Sequence, residues 1–71
     1  MMAIHIGDRV HLKKGIPELE LRPGERGEVQ STWCAPAVAY EVEFRPIGGT
    51  FPIRVLLNDE HIELDAARLT Y

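Results

Sequence analysis

The sequence holds a single cysteine, Cys34, and only 7% of its residues are aromatic. A lone thiol closes no internal disulfide, so the fold carries no covalent staple of its own, and such cysteine usage fits a reducing, cytoplasmic setting. Long apolar runs are missing as well. None approaches the roughly 20 residues that cross a bilayer, and "MMAIHIGDRV" has neither the basic start nor the apolar stretch of a secretory leader, so neither a membrane nor export is expected. Positive charge is not in excess: Lys and Arg number 8 against 11 Asp and Glu, a net charge of -3. Binding through phosphates needs clustered, uncompensated Lys and Arg, and this balance argues against nucleic acid as the main ligand.

Also missing is any segment of ten or more residues with helical period, which makes the chain all-β. In 71 residues there is room for one domain, spanning 1–71, with a compact core. Val10 and Leu12 alternate with Arg9, His11 and Lys13, and this period of two predicts a first strand over residues 9–14. "GIPELELRPGERG" then breaks the pattern. It predicts a long first loop, closed at "PGERG" by Gly24 and Gly27 in positive φ, with Leu19 and Leu21 folding back over the core. "EVQSTW" predicts a second strand with Val29, Ser31 and Trp33 on one face. In "VAYEVEF" Val38, Tyr40, Val42 and Phe44 form an apolar face opposite Ala39, Glu41 and Glu43, which a one-sided antiparallel sheet would leave wet.

"TFPIRVLLNDE" sets Phe51, Ile53, Val55 and Leu57 on one side and Arg54 and Leu56 on the other. The end predicts a short strand at Ile62 and Leu64, a single helical turn at "DAA", and a last strand at Leu69 and Tyr71. Five to six short antiparallel strands in so few residues suggest a small barrel that closes to remove its edges. Its expected core is Val10, Leu12, Val29, Val42, Phe44, Ile62 and Leu64.

Chemistry-bearing patterns are sparse. His5, His11 and His61 lack the close spacing that puts two ligands on one face, and Cys34 has no Cys-x-x-Cys partner, so no metal and no cofactor is expected. Cys34 sits between Trp33 and Ala35, a poor setting for a nucleophile. Glu41 and Glu43 share a strand face in the spacing of an acid/base pair, but such rows are the ordinary content of a solvated sheet face. No phosphate loop and no Ser-His-Asp order is found, so catalytic residues are not assigned. Arg9, His11, Lys13, Lys14, Arg22 and Arg26 are the candidate basic patch, which Glu18, Glu20, Glu25 and Glu28 are expected to neutralise. Trp33, Phe51, Ile53, Arg54 and Leu56 are the candidate partner-binding residues, because residues 51–57 carry apolar side chains on both faces of one strand.

The ordered set "GDRV", "PGERGEV", "YEVEF" and "IELDAARL" resembles the small bacterial SH3-like proteins of domain-of-unknown-function family 4926. That resemblance covers most of the chain and implies an SH3-like barrel without implying an activity. Gly24, Gly27 and Val29 also resemble the KOW motif, which implies contact with nucleic acid. "GDRV", Trp33–Cys34 and "AYEVE" resemble the type II dihydrofolate reductase barrel, a symmetric tetramer. Its pore-lining Val-Gln-Ile-Tyr is replaced here by His61, Ile62, Glu63 and Leu64, so the likeness carries the fold and not the chemistry. Between "EVEF" and "HIEL" this chain is longer than the family pattern by the apolar "TFPIRVLLNDE". The leading expectation is a non-enzymatic protein-binding module that contacts a partner or its own copies, most simply as a dimer. A KOW-like nucleic-acid-binding barrel comes second, and a symmetric oligomer that binds or converts a small molecule comes third.

Overall fold

The computed structural model describes residues 4–34, 37–46, 49 and 51–65. They form five strands: β1 (Arg9–Leu12), β2 (Arg26–Trp33), β3 (Ala39–Phe44), β4 (Ile53–Leu57) and β5 (Ile62–Leu64). The chain is all-β. The strands make one antiparallel sheet in the order β4-β3-β2-β1-β5, a meander whose last strand returns beside its first. Among the described residues β4 and β5 do not pair with each other, so the sheet stays open where the barrel expectation closes it. The helical turn at "DAA" and the sixth strand at Leu69 and Tyr71 lie outside the described residues.

The core occupies one face. Val10, Leu12, Val29, Val42, Phe44 and Ile62 are buried as expected, while Leu64 is only partly buried and packs against them. Leu57 and Leu21 complete the cluster. Leu21 arrives from the loop between β1 and β2, where a one-turn 3-10 helix (Pro17–Leu19) ends at Glu20 in a left-handed conformation, φ 59. Leu21 N–H then donates to Ile16 C=O at 3.1 Å, which turns its side chain inward, whereas Leu19 remains exposed.

Two glycines at the ends of that loop serve different needs. Gly24 takes φ 89 in the closing turn and donates its N–H to Leu12 C=O at 2.8 Å. Gly27 has no positive φ and lies within β2, contrary to its reading as a turn residue. A Cβ there would stand 2.7 Å from Val42 Cγ1 and 2.8 Å from Glu43 O, so the position requires glycine for close approach to β3.

β2 departs from simple alternation. Val29 pairs with Val42 but Ser31 pairs with Glu41, so Gln30 is an extra residue, a β-bulge. The bulge reverses the parity of the rest of the strand. Ser31 and Trp33 therefore leave the face of Val29, to which their spacing assigned them, and join Glu41 and Ala39 on the outer face.

Placing a charge in the centre of the core tests this packing. Val42 has no exposure and stands in the middle of β3, so Val42→Asp should abolish cooperative thermal unfolding, because an unpartnered buried carboxylate costs several kcal/mol against a marginal total. A variant that melted like the parent in a circular-dichroism scan would show that residue 42 does not face the core.

Candidate functional site

The outer face of the sheet collects most of the side chains that carry charge. Register sets Arg9 opposite Glu28, Glu28 opposite Glu43, and Glu43 opposite Arg54, a row running across four strands. Beside it His11 stands opposite both Glu63 and Arg26. Glu28 and Glu43 are like charges directly opposite, an arrangement that destabilises a sheet unless cations cover it. Two do. Arg45 binds Glu43 Oε2 through Nε at 3.1 Å and Nη2 at 2.9 Å, and Arg54 Nη2 reaches Glu43 Oε1 at 3.2 Å.

As a result Glu43 is 8% exposed, a buried carboxylate and not the solvated one expected from its place on a wet face. Glu41, its neighbour on that face, accepts a 2.6 Å hydrogen bond from Ser31 Oγ. Both carboxylates are thus engaged by neighbouring side chains in this arrangement.

The candidate basic patch is divided by the fold. Arg9, His11 and Arg26 share the outer face, with Arg26 Nε 3.3 Å from Asp65 Oδ2 and His11 Nε2 3.2 Å from Glu63 Oε1. Lys13 and Lys14 lie past the end of β1, where Lys13 Nζ is 3.5 Å from the Asp59 carbonyl. Arg22 belongs to the first loop, away from both groups. The acids paired with patch residues are Glu63 and Asp65 rather than Glu18, Glu20 and Glu25, while Glu28 does face Arg9. A small cleft of about 280 Å³ lies among Arg9, Arg26, Glu28, Glu43 and Arg45, its cations largely matched by the acids beside them.

The candidate partner-binding residues separate as well. Trp33, Leu56 and Arg54 lie on the outer face, Trp33 opposite Ala39 and Leu56 opposite Glu41. Trp33 and Leu56 are 53% and 62% exposed. By strand geometry their Cα atoms stand roughly 12 Å apart, two strands over and two residues along, with Ala39 leaving a low floor between them. Ile53 faces the core side opposite Phe44 and is half-buried. Phe51 precedes β4 and does not continue its apolar face; its ring is 76% exposed. It lines a groove of about 1280 Å³ between the first loop and the β3–β4 connection, together with Pro17, Leu19, Glu20, Pro46 and Ile53.

Sequence reasoning missed Arg45 and Asp65 as parts of the outer-face network. The signal for Arg45 was its spacing of two from Glu43, which puts both on one side of an extended chain. Asp65 gave no comparable signal, because its proximity to Arg26 depends on β5 returning beside β1. Among the described residues no group of three His, Cys, Asp or Glu is placed to hold a metal ion, and Cys34 is exposed. No family model, curated protein or solved structure matches the chain.

The two guanidiniums over Glu43 should act as mutual substitutes. Either Arg45→Ala or Arg54→Ala alone should cost about 1 kcal/mol, because the other cation stays, whereas the double variant should cost about 3 kcal/mol and exceed the sum of the singles. Adding Glu43→Gln to the double variant should recover part of that loss. Urea unfolding of the parent and the four variants decides it, and strict additivity would mean that the two arginines do not share the carboxylate.

Proposed function

We propose that the chain is a non-enzymatic, cytoplasmic protein–protein interaction module of the SH3-like class. What carries this reading is the outer face next to β4, where Trp33 and Leu56 are exposed while the charged part of the same face is satisfied internally. Large apolar side chains held in solvent on a rigid sheet are what a protein partner uses, and Trp heads the residue types that dominate binding energy. The strand order supports the SH3-like class, since such a barrel is a meander with its last strand beside its first. The resemblance to family 4926 agrees with it and brings no activity. In the expected reducing compartment the lone Cys34 stays a thiol.

Nucleic acid is the less favoured ligand because three of the arginines on this face already have carboxylates beside them. Arg26, Arg45 and Arg54 each face a carboxylate within 3.3 Å, and cations already neutralised release few phosphate counterions. Glu41 and Glu43, the pair that acid/base chemistry would recruit, are engaged by Ser31 and by two guanidiniums.

Two measurements test the proposal. Titration of duplex DNA and single-stranded RNA near about 50 mM salt should show no binding tighter than about 10 µM, and sub-micromolar, steeply salt-dependent binding would replace the proposal with the KOW-like alternative. Partner proteins retained from the native host by the immobilised parent should be lost with Trp33→Ser, which should melt within about 0.5 kcal/mol of the parent because the ring is exposed. Equal retention by both would remove Trp33 from the contact surface.

A further inference from the structure

We infer that the free edge of β4 pairs antiparallel with the β4 edge of a second copy of this chain, in the one register centred on Val55. The inference rests on the protein-binding reading above and names its occupant. Among the described residues no strand lies beyond β4, which ends the sheet order.

The hydrogen-bond pattern shows which groups that edge offers. Val29 donates its N–H to Asp8 C=O and accepts from Gly7 N–H, so its backbone points toward β1 and away from β3. Antiparallel alternation then directs Glu28 and Glu43 at each other, Val42 at Val55, Phe44 at Ile53 and Tyr40 at Leu57. Ile53, Val55 and Leu57 spend their backbone groups on β3. Arg54 and Leu56 turn theirs outward, two N–H donors and two C=O acceptors on an open edge.

Edges of this kind are normally protected by charge, proline or brevity. β5, the opposite edge, has three residues and carries Glu63. β4 has one charged residue, whose guanidinium lies 3.2 Å from Glu43 over the outer face, and the edge carries no proline between Ile53 and Leu57.

Three self-pairings place the outward groups within reach of one another, and two are excluded by residues at the strand ends. Centring on Arg54 would set like charges opposite each other and bring Leu56 to Pro52, which has no N–H. Centring on Leu56 would bring Arg54 to Asn58, whose C=O already accepts from His61 N–H at 3.1 Å and whose N–H points at His61 Nδ1 at 3.4 Å. Centring on Val55 satisfies every outward group: Arg54 exchanges both bonds with Leu56 of the second copy, and the reverse, for about four bonds in all. The same register sets Val55 against its own copy and Ile53 against Leu57 on the core side, extending a strand face that is apolar throughout. A two-fold, self-complementary contact of this kind closes at two chains.

Contacts this small are weak, so dissociation constants on the order of 10–100 µM are expected. In sedimentation of the purified protein the mean mass should rise from the 8.0 kDa chain toward twice that value between about 10 and 500 µM. Leu56→Pro should keep the fold, because its N–H does not serve β3, and should hold the protein monomeric throughout. In a Cys34→Ser background, Val55→Cys should form a disulfide-linked dimer under oxidised glutathione, since directly opposed residues in a non-hydrogen-bonded pair lie within disulfide reach. Leu56→Cys should cross-link poorly, because in this register its copy stands more than about 7 Å away.

A parent that is monomeric at the highest concentration overturns the inference and leaves the outer face to a foreign partner, so the protein-binding reading survives that result. A dimer indifferent to Leu56→Pro, or one in which Leu56→Cys cross-links faster than Val55→Cys, overturns it too.

Discussion

Gln30 is the residue on which the arrangement of the outer face depends. As the extra residue of a bulge it has no partner on β3, and every side chain beyond it in β2 changes sides. Without it Ser31 and Trp33 would stand on the core face with Val29. With it, Ser31 meets Glu41 at hydrogen-bond distance and Trp33 is held in solvent across from Ala39. A single inserted position thereby converts an ordinary amphipathic strand into one that is buried in its first half and presents an aromatic ring in its second.

The bulge also separates two kinds of surface. On the β1 side of it the outer face is an ionic lattice in which Glu43 is enclosed by Arg45 and Arg54, Arg26 leans on Asp65, and His11 on Glu63. Side chains paired across strands in this way help hold the sheet in register. Beyond the bulge the face is apolar and unsatisfied. The boundary is the Ser31–Glu41 hydrogen bond, on a row that continues to Leu56.

The legible part of the fold was whatever follows from period-two alternation. β1, β3 and β4 were placed by it to within two residues at each end, and with them nearly all of the core. Positions that depend on long-range pairing were not legible in the same way. The reversal of Trp33 follows from a register shift that leaves no local composition signal. The burial of Glu43 follows from two arginines, one of them brought across from β4. The role of Gly27 follows from contact with Val42 and Glu43, although as a residue type it was indistinguishable from the turn glycine three positions earlier. Phe51 shares the parity of Ile53 yet lies outside the strand, one residue beyond Pro52.

Arg54 links these features. It carries the one charge on β4, and a cation there would ordinarily discourage another strand from adding to the sheet. Its guanidinium lies 3.2 Å from Glu43 across the sheet, so the charge is directed over the outer face while the side chain stays more than half exposed. Pro52 and the Asn58–His61 turn then bound the exposed segment on both sides, which limits any added strand to the span between them. The apolar run of β4 thus becomes a short edge, bounded at both ends, that carries the exposed Leu56.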